Sequence, residues 1–79
     1  MISIERVLEH IIRQIVVQPD AVLLNVVESD GLCTIRVHVA SEDIARVIGS
    51  EGRILRSLRH VASALGTSEK KDVRVELVK

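Results

Sequence analysis

Between Ile48 and Arg53 the sequence reads Gly-Ser-Glu-Gly, and on both sides of those four residues the apolar spacing is helical. Ile44, Val47 and Ile48 make one apolar side; Ile54, Leu55, Leu58, Val61, Ala62 and Leu65 make the other. Apolar residues three and four apart share one face of a helix. Two such helices joined by so short a loop must turn a sharp corner and lay both apolar sides on a common surface. The segments before and after supply that surface. Cys33, Ile35, Val37 and Val39 alternate with Thr34, Arg36 and His38, and Val73, Val75 and Leu77 alternate with Arg74 and Glu76. Alternation with period two marks a strand with one buried face. The glycine corner therefore sits inside a strand–helix–helix–strand unit, and its two strands are expected to run parallel with a right-handed connection.

Upstream, Ile4, Val7, Leu8, Ile11, Ile12, Ile15 and Val16 predict a helix over 4–17, with Ser3 as its cap and Pro19-Asp20 as its stop. Ala21 to Glu28 is apolar and β-branched, a first strand. Asp30-Gly31 suits a two-residue hairpin turn, because both positions of such a turn need positive φ. Ser41 is expected to cap the helix containing Ile44, with Glu42 and Asp43 as surface charges in its first turn. Gly66 reads as the stop of the last helix, and Thr67 to Lys71 as a polar loop. The order is helix, strand, strand, helix, helix, strand. It predicts an α+β fold: a three-stranded mixed sheet with helices packed on one face.

Residues 1–79 make one domain, and with no aromatic residue its core must be built from Ile, Leu, Val and Ala. A net charge of zero argues against a protein that coats nucleic acid through bulk basic charge. The basic charge is instead local: Arg46, Arg53, Arg56 and Arg59 against Glu51 leave 4 − 1 = +3 around the glycine corner. The single cysteine, Cys33, cannot form an internal bridge, which points to a reducing compartment. No apolar run reaches the ~20 residues of a membrane span, and no signal-peptide pattern opens the chain, so a cytoplasmic protein is expected. His10, His38 and His60 lie on the polar sides of different elements without metal-ligand spacing. No serine or cysteine has a motif partner to activate it, and no cofactor motif is present, so no enzyme, metal or cofactor is expected.

Glycines at the corner let a ligand approach the backbone, and the residues after Gly49 open a helix whose unpaired amides and dipole favour an anion such as phosphate. The same glycines would also serve a simple bend, and the spacing alone leaves both readings open.

"VIGSEGRI" resembles the V-I-G-x-x-G-x-x-I signature of KH RNA-binding domains, and the element order αββααβ matches the type II, bacterial arrangement. The length and the opening "ERVLEHIIRQIVVQPDAV" are similar to the small single-domain bacterial KH proteins of the KhpA-like family. The resemblance spans essentially the whole chain. It implies a groove for about four single-stranded nucleotides, their backbone clamped by the loop. By position, Gly49, Ser50, Glu51 and Gly52 are then the clamp, and Arg46, Arg53 and Arg56 lie near the phosphates. Ile48 and Ile54 form an aliphatic floor, and the last strand forms the far wall. Glu51 departs from the family pattern, in which a basic residue usually stands between the glycines. Its repulsion of a phosphate, on the order of 1 kcal/mol in water-like dielectric, is expected to weaken binding. The implied role is a post-transcriptional regulator or RNA chaperone acting on single-stranded RNA. The alternative is an interaction scaffold for cell elongation and division, working as a homodimer or with a second KH-containing protein of the KhpB/Jag type, with RNA binding weak or lost.

Overall fold

A computed structural model of the chain describes residues 3–78. Helix α1 (Ile4–Ile15) starts at Ser3, whose hydroxyl accepts a hydrogen bond from the Arg6 N–H. It ends two residues before the end that periodicity predicts. The N–H groups of Val17 and Gln18 turn to the Asp43 carboxylate instead of the preceding helical turn, and Pro19–Ala21 then form a single 3₁₀ turn. Strand β1 (Leu23–Ser29) consequently starts later than the apolar run at Ala21 suggests, and Val17 is left exposed. The hairpin is as expected. Asp30 and Gly31 have φ of 49° and 81°, and Ser29 pairs with Leu32 across them.

Strand β2 (Leu32–His38) leads through a 3₁₀ turn at Ser41–Asp43 into the short helix α2 (Ile44–Ile48). The corner Ser50–Gly52 follows, then helix α3 (Arg53–Ser68) and strand β3 (Asp72–Leu77). The sheet order is β1-β2-β3, antiparallel across the first pair and parallel across the second. Its register sets Cys33 beside Val73, Ile35 beside Val75 and Val37 beside Leu77, so the inward residues of neighbouring strands meet on one face. Leu8 and Ile12 of α1, Val47 of α2 and Leu58 and Ala62 of α3 bury themselves against that face. On the other face Leu23 and Val27 remain exposed. Cys33 lies in the core, as its inward position predicts; burial pushes its thiol up, and nearby Glu28 adds to the effect.

Three local expectations fail for tertiary reasons. Ser41 makes no capping hydrogen bond; Ala40 occupies the cap position of its turn. Asp43, expected as a surface charge, is completely buried. Gly66 does not stop α3. The helix runs on to Ser68 and closes with Lys70 in the left-handed region at φ 59°, its N–H bonded to the Thr67 carbonyl and that of Lys71 to the Gly66 carbonyl. This is a Schellman closure with lysine where glycine is usual. Gly66 itself is buried against the entry to β3: a Cβ there would lie 2.6 Å from Val73 Cγ2 and 2.7 Å from the Lys71 carbonyl oxygen.

Candidate functional site

The corner between α2 and α3 holds three residues with positive φ within four positions. Gly49 has φ 77° and ψ 174°, Glu51 has φ 56°, and Gly52 has φ 74°. The two glycines serve different ends. A Cβ on Gly49 would lie 2.7 Å from Ile54 Cγ1, so this glycine lets α3 close onto the loop. A Cβ on Gly52 would meet nothing within 4 Å. Of the two tasks that the spacing leaves open, a close turn describes Gly49, whereas Gly52 has the open space that admitting a ligand requires.

The N–H of Gly52 bonds to the Gly49 carbonyl and that of Arg53 to the Ser50 carbonyl, which stiffens the turn. The cap residues of the turn and of α3 are Gly49 and Gly52, so neither supplies a side-chain cap. The sixteen residues of α3 thus present an electropositive N-terminus, without a side-chain cap, beside a half-buried glycine whose missing Cβ leaves open space. Such an end attracts anions, phosphate among them.

The arginines predicted for the site are gathered near it, and each already has an internal partner. Arg53 pairs with the Glu51 carboxylate at 3.4 Å, both side chains mostly in solvent. An Arg56 terminal nitrogen lies 3.4 Å from the Glu51 carbonyl oxygen. Arg46 Nε lies 3.8 Å from Asp43 Oδ1. Arg59 reaches from α3 to the sheet and donates through Nε to the Val75 carbonyl on β3, at 3.3 Å. Counting Asp43 as well as Glu51 lowers the local charge from +3 to 4 − 2 = +2. The exposed pairs are weak and exchange readily with a competing anion. Glu51 therefore competes for Arg53 and Arg56 without locking either.

The apolar residues divide between two sides of α3. Ile48 is half-buried on α2. Ile54 lines an apolar groove of about 250 Å³ between α1 and α3, together with Ile11, Ile15, Leu58 and Val61. Arg59 marks the opposite, β3-ward side of α3, with Leu55 one turn before it. Ile54 thus lies on the side of α3 away from the one from which Arg59 reaches β3. β3 is an edge strand; residues 73, 75 and 77 turn their backbone groups away from β2, and the Val75 carbonyl is already taken by Arg59. Sequence reasoning missed both the Arg59–Val75 contact and the buried Asp43. Apolar periodicity carries no signal for either, since both residues look like ordinary surface charges.

Among the described residues no group of His, Cys, Asp and Glu is placed to hold a metal ion, and no helix is long and apolar enough to cross a membrane.

Comparison with known proteins gives a consistent result. The family described as KhpA/KhpB, KH domain, matches residues 5–77. The chain is 32% identical over 74 residues to the RNA-binding protein KhpA of Listeria monocytogenes, covering 94% of this chain and 97% of that one. It is 38% identical over 68 residues to the RNA-binding protein KhpA of Caldanaerobacter subterraneus, covering 86% and 91%. With the protein of that name from Mycobacterium leprae the identity is 37% over 70 residues, covering 89% and 84%. No solved structure matches the chain.

Proposed function

The chain belongs to the KhpA/KhpB KH-domain family, and from that premise we propose that it binds single-stranded RNA without turning it over, holding a short segment beside the Gly49–Gly52 loop. The observation that carries this reading is the uncapped start of α3 next to the open face of Gly52. There a sugar-phosphate backbone can reach main-chain amides directly. Arg53 and Arg56 then trade their contacts with Glu51 for phosphate, and Arg46 and Arg59 flank the path. With no Phe, Tyr or Trp in the chain, bases have no large aromatic platform to stack on, so aliphatic contacts and hydrogen bonds carry most of the hold on them. A clamp that meets the sugar-phosphate backbone rather than base edges gives weak sequence preference, which suits a post-transcriptional regulator or RNA chaperone in the cytoplasm.

Filter binding of a short labelled RNA at several salt concentrations tests the electrostatic basis. Neutralising two to four phosphates gives a slope of log affinity against log salt of roughly −1.5 to −3. A slope near zero would remove phosphate contact from the account.

A second reading concerns assembly. The groove formed by Ile11, Ile15, Ile54, Leu58 and Val61 is apolar, and Val61 on its rim is 36% exposed. A domain of this size gains stability by burying more surface, and pairing two RNA sites raises apparent affinity through effective concentration. We take the occupant to be a second copy of the chain, with a second KH-containing protein of the KhpB/Jag type as the competing partner. Sedimentation of wild type and Val61→Asp across concentration is the check: wild type is expected to associate and the variant to remain monomeric. A monomeric wild type at high concentration would eliminate the homodimer.

A further inference from the structure

We propose that Asp43 is a positioning residue for the RNA clamp, holding α2 at the angle that presents Gly49–Gly52; its binding arm rests on the function proposed above. The starting point is that α2 has five residues, too few to define a helix without tertiary support. Asp43 and Val47 stand four apart on its inner side, and both are completely buried. Val47 anchors the loop-proximal end in the apolar core. Asp43 anchors the other end through polar contacts.

An ionised carboxylate accepts hydrogen bonds and donates none, so a buried one must find donors. Asp43 Oδ1 accepts the Val17 N–H at 2.9 Å, and Oδ2 accepts the Gln18 N–H at 3.0 Å. Those amides belong to the segment leaving α1, some 25 residues earlier in the chain. Arg46, half in solvent, lies against the same carboxylate and offsets its charge. The Gln18 side-chain amide also donates to the Glu42 carboxylate, a second tie across the same junction.

The consequence follows from the geometry beyond α2. The Gly49 N–H still bonds to the Ala45 carbonyl, and Gly49 sits directly against Ile54. A rotation of α2 about Val47 is therefore transmitted to the loop and to the first turn of α3. Asp43→Asn sets off that rotation with little change of volume, because its NH₂ group must face one of the two amide donors, and neither donor can turn away.

The test compares wild type, Asp43→Asn and Leu24→Ala, the last a core change on β1, the edge strand opposite β3. Each is titrated with a fluorescein-labelled single-stranded RNA oligonucleotide at a temperature where circular dichroism shows all three folded. Asp43→Asn is expected to bind at least about tenfold more weakly, and Leu24→Ala within about twofold of wild type. Equal affinities for wild type and Asp43→Asn overturn the proposal. So does an equal loss in Leu24→Ala, which would reduce the effect to general stability.

Native-state hydrogen exchange on wild type alone covers the case in which Asp43→Asn does not fold or wild type does not bind RNA. The Val17 and Gln18 amides are expected to open together with those of Ile48 and Gly49, at one common opening free energy. Independent opening of the two segments overturns the proposal, whereas failure of wild type to bind RNA counts only against the function it serves.

Discussion

Replacing Gly52 by Asp is expected to lower RNA affinity by about 100-fold or more while leaving the fold intact. Two terms add. A carboxylate about 4 Å from a phosphate costs about 1 kcal/mol in water-like dielectric. Losing one charge-assisted amide contact costs roughly 1.5–3 kcal/mol more. Together they come to roughly 2.5–4 kcal/mol, about two to three orders of magnitude at about 1.4 kcal/mol per tenfold. The fold should survive because a Cβ at Gly52 meets nothing within 4 Å. The left-handed φ of 74° there is one that Asp tolerates better than most residues. The new side chain also stands at the cap position of α3 and can satisfy amides that no side chain now caps. Unchanged melting with lost binding is the expected pair of results. Unaltered affinity would place the RNA away from this loop. Gly49→Asp is a poorer probe, since its Cβ strikes Ile54 at 2.7 Å and confounds binding with packing.

Gly66→Ala is expected to destabilise the protein by about 2 kcal/mol. This balances strong overpacking at about 3 kcal/mol against about 1 kcal/mol gained from alanine's higher helix propensity. The steric term wins because one of the two atoms struck is backbone. The Lys71 carbonyl oxygen would lie 2.7 Å from the new Cβ, and it cannot rotate away as a side chain can. The Lys71 N–H is tied to the Gly66 carbonyl at 2.7 Å, so the helix end and the entry to β3 cannot separate without losing that bond. For a domain this small the melting temperature should fall by roughly 10 °C, at about 4–8 °C per kcal/mol. A thermal melt followed by circular dichroism reads it directly, and an unchanged or raised midpoint would show that the helix and β3 slide apart freely.

These two glycines mark where reading the sequence succeeded and where it fell short. The four residues from Gly49 to Gly52 announced a corner and an exposed helix start, because φ preference and dipole are local properties of the chain. That Gly49 and Gly52 divide the work could not be read there. The difference lies in Ile54 closing on one glycine and open space beside the other. Gly66 looked like a helix stop for a sound local reason, since glycine is the usual residue after a helix. The requirement it meets is instead contact with Lys71 and Val73, which belong to the next element.

Asp43 teaches the same lesson in electrostatics. An acid just before a short helix is, by local rules, a favourable charge near a helix N-terminus. Only the arrival of Val17 and Gln18 from the end of α1 makes it a buried acceptor, and the same contact ends α1 before its apolar spacing runs out.

By itself, then, the sequence determined the element order, the hairpin at Asp30-Gly31, the inward residues of β2 and β3 and the glycine corner. All of these follow from periodicities and backbone preferences that a residue carries wherever it is placed. Tertiary structure alone decided which charges are paired, which glycine has open space where a Cβ would stand, where two helices end and which polar group is buried. Those outcomes depend on neighbours distant in the chain, whose positions exist only once the sheet and helices have packed.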